Sequence, residues 1–262
     1  MSKFVDKLGR TSRVVPQPMG FGQTRTISAK PKILLIVSLT DPGVGNMADC
    51  VAGADAGLLH ISESGAGAKI IQKMSQAMPD VPWGGWLGES SEGGVKQIVK
   101  AGYDFVIFSA DRTSLAMLQD NKAGRILEVE PALSDSLVRA INELPVDAVL
   151  IASGQRDGYR LTWHHLMLFQ RFANLLTKPL LVSVPSAVTS DELRVLWEAG
   201  IDGIVLEIGT GQSDMLKELR QTIDSTVFPT PRKRNKTEAL LPYVSPETIT
   251  AGEDEEEEAE EL

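Results

Sequence analysis

Short apolar runs alternate with amphipathic segments from about residue 33 to residue 226. The runs are rich in Ile, Leu and Val, which is typical of strands. The segments between them repeat apolar residues every three or four positions, which is typical of helices that cover one face of a sheet. The predicted strands span residues 33–39, 56–62, 82–88, 104–110, 124–130, 147–153, 179–185 and 203–208.

Apolar strands joined by helices indicate a parallel sheet that is buried on both faces. Eight such units predict an α/β fold of the (β/α)8, TIM-barrel type. The alternative is an open doubly wound sheet, which would more naturally have about five or six strands and a G-x-G-x-x-G turn that the DPGVG at 41–45 lacks. We predict an N-terminal extension over 1–32 that packs against the barrel or stays mobile, a barrel over 33–226, and a disordered charged tail over 227–262.

Charge changes this picture at the C-terminus. The net charge is -9, but eight of the 35 acidic residues lie in residues 253–261, and the remaining 27 nearly balance 26 basic residues. A barrel without a basic face argues against nucleic-acid binding. The chain has one cysteine, no apolar run that would span a bilayer and no secretory signal at its N-terminus, so we expect a cytoplasmic protein without structural disulfides.

Carboxylates are frequent at the C-terminal ends of the predicted strands. Active sites of barrels of this type lie at that end. Side-chain alternation puts Glu128 and Glu130 on the face opposite Leu127 and Val129, so we expect both glutamates to point into the barrel. There they would form an acid/base pair or bind a divalent cation such as Mg²⁺ through oxygen. In the structural alternative, one glutamate pairs with an arginine and the other reaches solvent. Further candidates are Asp111 as an assisting carboxylate, and Asp41 and Glu89 as metal ligands beside Glu128.

Two histidines are candidate acid/base residues. Thr162 is a plausible helix N-cap, which would put His164 in the first turn, where the helix dipole favours the neutral imidazole. His60 follows the second predicted strand and is either a catalytic group or a hydrogen-bonded core histidine. For His164 the structural role is the better-supported interpretation.

Anion-binding candidates cluster in the loops after the last three strands. Arg156 lies in the long connection after the sixth strand. Gly209, Thr210 and Gly211 precede the last helix, where free backbone N–H groups bind phosphate or carboxylate, and the Ser186 hydroxyl would complete that cradle.

The stretch SVPSAVTSDELRVLWEAGIDGIVLEIGTG, residues 183–211, resembles the last two units of the ribulose-phosphate-binding and related phosphate-binding barrels. EAGIDGIVLEIG matches the run through strand eight of those families. Pro185 and Ser186 replace the Gly-Gly of their first loop, and Glu207 and Ile208 replace the Gly-Ser that follows strand eight. The resemblance implies a barrel that binds an anionic small molecule.

Several mechanisms are disfavoured. No lysine ends a predicted strand, which argues against a Schiff-base aldolase. No His-x-His pair ends the first strand, which argues against a binuclear amidohydrolase site. Trp83 and Trp86 would either form an aromatic wall for a ligand or pack within the strands, and we favour packing. No motif points to a flavin or a pterin.

Two functional hypotheses remain. The leading one is a lyase or isomerase that acts on a small carboxylate or phosphate ester and possesses a Mg²⁺ site. The alternative is a catalytically silent barrel that binds a protein partner through its tail, with TEALLPYV at 237–244 as the docking segment.

Overall fold

The computed structural model describes residues 2–12, 32–39, 51–61, 66–87, 102–115, 123–152, 160–209 and 212–229. Within these ranges eight parallel strands close into a barrel in chain order, and β1 pairs with β8. The strands are β1 Leu34–Leu39, β2 Ala56–Ile61, β3 Trp83–Leu87, β4 Phe105–Ser109, β5 Gly124–Val129, β6 Ala148–Ile151, β7 Leu180–Ser183 and β8 Gly203–Ile208. The structure therefore confirms the predicted barrel rather than the open sheet.

Six α-helices occur in the described residues: α1 Lys3–Ser12, α2 Ala66–Ala77, α3 Asp135–Ala140, α4 Trp163–Leu175, α5 Ser190–Glu198 and α6 Ser213–Ser225. The predicted N-cap of α4 is confirmed, because the Thr162 hydroxyl accepts the His165 backbone N–H. The Thr189 side chain caps α5 in the same way through Glu192. None of these helices combines the length and apolarity that crossing a bilayer would demand.

Alternation along the strands divides the apolar core into two layers. An inner cluster fills the barrel and includes Ile36, Leu58, Ile107, Ile126 and Val205. An outer cluster, formed by the residues between these on the strands together with the helix faces, packs the helices onto the sheet. Both faces of each strand are thus buried, which explains the near-continuous apolar runs in the sequence.

Helix α1 closes the N-terminal end of the barrel. Phe4 and Leu8 are fully buried and belong to the inner cluster, and the Phe4 ring lies 4.5 Å from the ring of Phe105. The carboxylate of Asp104, just before β4, accepts the backbone N–H of Lys3 at 2.8 Å and that of Phe4 at 2.9 Å. Residues 2–12 therefore pack against the barrel and cover its N-terminal end, so a candidate site is sought at the C-terminal ends of the strands.

Two glycines make room for large rings at the second and third strands. A Cβ on Gly57 would lie 2.5 Å from the Trp83 ring, and a Cβ on Gly84 would overlap the ring of Phe105 inside the barrel. Trp83 belongs to the outer cluster, whereas Trp86, three residues later, belongs to the inner one. This arrangement turns the Trp86 indole toward the interior, where the candidate site lies.

Candidate active site at the barrel mouth

A ring of polar and aromatic side chains lies above the apolar interior at the C-terminal ends of the strands. The residues two positions earlier on the same strands, among them Ile36, Leu58, Ile126 and Val205, belong to the inner cluster. Alternation therefore turns the residues two positions later toward the same interior. The ring consists of Ser38, His60, Trp86, Ser109, Glu128, Ser183 and Glu207.

Glu128 is the centre of the best-defined part of this ring. It lies near the end of β5, is half-buried, and accepts a hydrogen bond from Trp86 Nε1 on its Oε2 atom at 2.8 Å. Ile126 is buried in the inner cluster while Leu127 and Val129 belong to the outer one, so the predicted inward direction of Glu128 is confirmed. The cross-strand register places Ser109 of β4 beside Glu128.

Burial raises the pKa of the Glu128 carboxyl above its ordinary value of 4.5. The Trp86 hydrogen bond and the positive charge of Arg112 act in the opposite direction, and the negative charge of Asp111 adds to the increase. A carboxyl with a raised pKa is protonated over a wider pH range. Glu128 is therefore suited to donate a proton as well as to accept one.

His60 completes one side of this group. Its ring stacks on the Trp86 indole at a centroid distance of 4.8 Å and an interplanar angle of 18°. The residue is exposed by its solvent-accessible surface, while the ring face against the indole is covered, and this burial lowers the pKa of His60. The neutral imidazole is thus favoured, and His60 and Glu128 contact the same indole from two strands.

The end of β4 contributes a charged turn. Ser109 donates a short hydrogen bond to the Asp111 carboxylate, and this bond is the largest cause of the lowered pKa of Asp111. The Arg112 guanidinium lies 3.6 Å from the same carboxylate. Because Ser109 lies beside Glu128 in the strand register and donates to Asp111, the structure brings Asp111 and Arg112 near the candidate site.

A second carboxyl, Glu207 on β8, was not among the candidate catalytic residues predicted from the sequence. It is half-buried, and burial raises its pKa. Its register partner on β1 is Ser38, whose fully buried hydroxyl has no hydrogen-bond partner in the described part of the chain. The sequence did carry a signal for Glu207. Val205 and Glu207 are two positions apart and so share the inward face of β8, as Ile126 and Glu128 share that of β5.

The structure separates the two tryptophans. The favoured strand-packing interpretation holds for Trp83, because it is buried in the outer cluster. Trp86 packs inside the barrel and also holds Glu128 and stacks on His60. Their spacing of three residues placed them on opposite faces, but the contact between Trp86 and Glu128 joins β3 to β5 across β4 and depends on the register.

Other predicted residues lie away from this group. Glu130 is exposed and follows the last residue of β5, so the strand brings one of the two predicted glutamates, Glu128, into the barrel. His164 is exposed on the first turn of α4, in the outer ring of helices, and Ser186 is exposed after β7. The Gly209 N–H already donates to the side chain of Gln212 at 3.0 Å.

Five predicted residues lie outside the described ranges: Asp41, Glu89, Arg156, Thr210 and Gly211. The metal site that would join Asp41 and Glu89 to Glu128 therefore stays a prediction. Among the described residues, no group of three or more His, Cys, Asp or Glu side chains has an arrangement that would hold a metal ion.

Comparison with known proteins gives structural neighbours. No family model matches the chain, and no curated protein matches its sequence. A mutant tryptophan synthase alpha-subunit from the hyperthermophile Pyrococcus furiosus is 13% identical, with a TM-score of 0.57 over 74% of this chain and 97% of the other. A protein from Aquifex aeolicus VF5 is 13% identical, with a TM-score of 0.56 over 73% and 93%. The Pyrococcus furiosus tryptophan synthase complex is 12% identical, with a TM-score of 0.54 over 74% and 94%.

The likeness establishes the barrel fold. It extends over about three quarters of this chain and so is not confined to the last two units, on which the sequence resemblance rested.

Proposed function

We propose that this barrel is a lyase or isomerase that acts on a small carboxylate or phosphate ester. Glu128 would transfer the proton, and the observation that carries the proposal is its half-buried, indole-bound carboxyl at the C-terminal ends of the strands. Titratable groups with perturbed pKa values in such positions are frequent in active sites. The structural neighbours that are subunits of an enzyme, tryptophan synthase, support an enzymatic role.

Protonated Glu128 would donate its proton to a leaving group or a carbonyl oxygen of the substrate, and the carboxylate would then take up a proton from carbon or water. His60 in its neutral form would accept or return a proton beside it. The wall of Trp86 keeps part of this region apolar, which strengthens electrostatic interactions with a bound ligand.

Arg112 is the cation that supports an anionic substrate. It follows β4, whose Ser109 lies beside Glu128 in the strand register, and it lies 3.6 Å from the Asp111 carboxylate at the end of β4. Arg156 and the 209–211 turn remain proposed anion-binding elements. A phosphate at that turn would have to displace the Gln212 side chain from the Gly209 N–H.

The Mg²⁺ site proposed for Asp41, Glu89 and Glu128 requires a different protonation state of Glu128. A divalent cation binds the ionised carboxylate, whereas a proton donor must be protonated. The raised pKa of Glu128 describes the carboxyl without a bound cation, and in that state the side chain suits the proton-donor role.

A thermal-shift screen with Mg²⁺, sugar phosphates and small carboxylates tests the proposal. A ligand at about 100 times its Kd should stabilise the fold by about 2.7 kcal/mol. We expect at least one anionic compound to raise the Tm of the parent, and Glu128→Gln to reduce that increase. The control is Glu218→Gln, which changes an exposed residue of α6. No increase with any compound, or the same increase in Glu128→Gln, would contradict the proposal.

The second candidate function is a partner-binding barrel without activity. The observation in its favour is an exposed apolar surface on α4, where Trp163 is 81% exposed and Met167 is 69% exposed. One structural neighbour is part of a tryptophan synthase complex. A barrel of this second kind would show no ligand-dependent Tm change at the mouth.

A further inference from the structure

An apolar groove separates the first turns of α4 and α5 on the outside of the barrel. Its volume is about 260 Å³, and Asp191 and Glu192 lie at its edge. Its apolar lining consists of Leu161, Trp163, Leu166, Phe169, Val195 and Leu196.

The outer part of this groove is open to solvent. Trp163 is 81% exposed and Val195 is 42% exposed, and Met167 lies one turn along α4 from Trp163. Single exposed apolar residues are normal, but a contiguous group around a groove indicates a binding surface. Phe169 and Leu196 already supply the contacts that join the two helices to the core, so the fold does not account for the exposed residues.

We propose that the groove binds a segment of this same chain, residues 237–244, which lie outside the described residues. The segment, TEALLPYV, carries Leu240, Leu241, Tyr243 and Val244, and these are side chains that would fill an apolar groove. Three observations favour this occupant: where the described chain ends, how far the intervening residues reach, and the charges along the path.

The described chain ends against the helix that forms one side of the groove. The Phe228 ring lies 5.4 Å from the ring of Trp197, which is on α5. Trp197 Nε1 donates to the carbonyl of Pro229 at 3.0 Å. Residue 229 is therefore anchored on α5 itself.

The distance from this anchor to the groove is short. Trp197 is six positions along α5 from Asp191, which corresponds to about 9 Å along the helix axis. Seven residues, 230–236, connect Pro229 to the segment and would reach up to about 24 Å when extended. The connection is long enough to bring 237–244 into the groove with length to spare.

The charges along this path are complementary. The connection carries Arg232, Lys233, Arg234 and Lys236. Helix α5 carries the acids Asp191, Glu192 and Glu198 against the single base Arg194. A basic connection that runs along an acidic helix holds the segment beside the groove, and tethering supplies an effective concentration of the order of millimolar. These features favour the chain's own segment over a second copy.

The test uses the full-length chain and the solvent accessibility of Trp163. Acrylamide quenching of tryptophan fluorescence is measured for the parent and for Leu240→Ser/Leu241→Ser. The Trp163→Phe variant identifies the contribution of Trp163, because the other three tryptophans are buried. Ile249→Ser, which removes an apolar residue beyond the segment, is the matched control.

We expect the Trp163 component to be shielded in the parent and in Ile249→Ser, and its quenching constant to rise several-fold in Leu240→Ser/Leu241→Ser. Val195→Asp, which puts a charge into the groove, should release the segment in the same way. Equal quenching of Trp163 in all variants would overturn the proposal. Shielding that disappears when the protein is diluted would also overturn it, because a second copy would then be the occupant.

Discussion

Burial and one hydrogen bond act on Glu128 in opposite directions. Burial raises the pKa of the carboxyl and is the larger effect, while the indole N–H of Trp86 stabilises the ionised form. The side chain is thereby held in one position while its proton remains available. This combination, rather than the number of acidic residues at the mouth, distinguishes Glu128 from exposed Asp111 and Glu130.

Replacing Glu128 by Gln should make stability less sensitive to pH. The pKa of Glu128 is above 4.5 in the folded protein and ordinary in the unfolded chain, so the folded state binds more protons between these two values. Stability therefore falls as pH rises from about 4.5 through the folded-state pKa, and a tenfold difference in proton affinity between the two states corresponds to about 1.4 kcal/mol. Glu128→Gln removes the titrating carboxyl, so the stability of this variant should not fall with pH for this reason.

Denaturant unfolding at several pH values checks this prediction. The stability of Glu128→Gln relative to the parent should rise as pH is increased from about 4 to about 8. The control is again Glu218→Gln. A difference between Glu128→Gln and the parent that is the same at every pH would show that Glu128 is not buried as described.

At the level of single residues, the sequence predicted that Glu128 points into the barrel but not that it binds Trp86. The inward direction of Glu128 follows from alternation within one strand, which is a local property. Its contact with Trp86 joins β5 to β3, and the register that aligns the strands results from closing the whole barrel. For Glu130 the alternation failed because the strand ends at Val129.

Among the elements, an aspartate precedes each even-numbered strand at the closed end of the barrel. Asp55 accepts the Leu35 N–H at 2.9 Å, Asp147 the Arg125 N–H at 2.7 Å, and Asp202 the Leu180 N–H at 2.7 Å. Three of the four thus bind the start of the preceding strand. The fourth, Asp104, binds the first turn of α1 instead.

The two equivalent aspartates Asp202 and Asp147 should differ in their contribution to stability. Asp202 is fully buried, whereas Asp147 is exposed. Asp202→Ala leaves the Leu180 N–H buried without its acceptor, which should cost about 1–3 kcal/mol or more, and water can replace the acceptor in Asp147→Ala. The measurement is the free energy of unfolding of each variant. An equal loss in the two variants would contradict the burial argument.

The elements were the most predictable level. All eight strands were predicted because burial on both faces leaves apolar runs that stand out from amphipathic helices. The sequence left open whether the N-terminal extension packs against the barrel. Only two residues of α1, Phe4 and Leu8, are fully buried, so the helix gives a weak sequence signal. Its contacts with Asp104 and Phe105 are evident only in the three-dimensional structure. The recurring aspartates do not stand out as a repeat in the sequence, since one aspartate before a strand is common.

In the whole molecule, α1 closes one end of the barrel and the polar ring surrounds the other. Phe4 and Leu8 of α1 pack into the inner cluster at the N-terminal end, so the candidate site is confined to the C-terminal ends of the strands. Glu128, Trp86 and His60 lie at that end, and Glu207 lies on β8 three strands beyond Glu128. The proposed docking of 237–244 lies outside the barrel and does not depend on the reaction at the mouth.

Proton exchange catalysed at the mouth is the most direct test of the proposed function. The protein is incubated in D₂O with each sugar phosphate or small carboxylate that raises its Tm, and loss of carbon-bound proton signals is followed by ¹H NMR. We expect exchange by the parent and by Glu218→Gln, and a rate lower by about 10²–10⁴-fold in Glu128→Gln, since that is the usual contribution of a general acid or base. No exchange by the parent, or equal rates in the parent and Glu128→Gln, would contradict the role of Glu128 as the proton-transfer residue of this barrel.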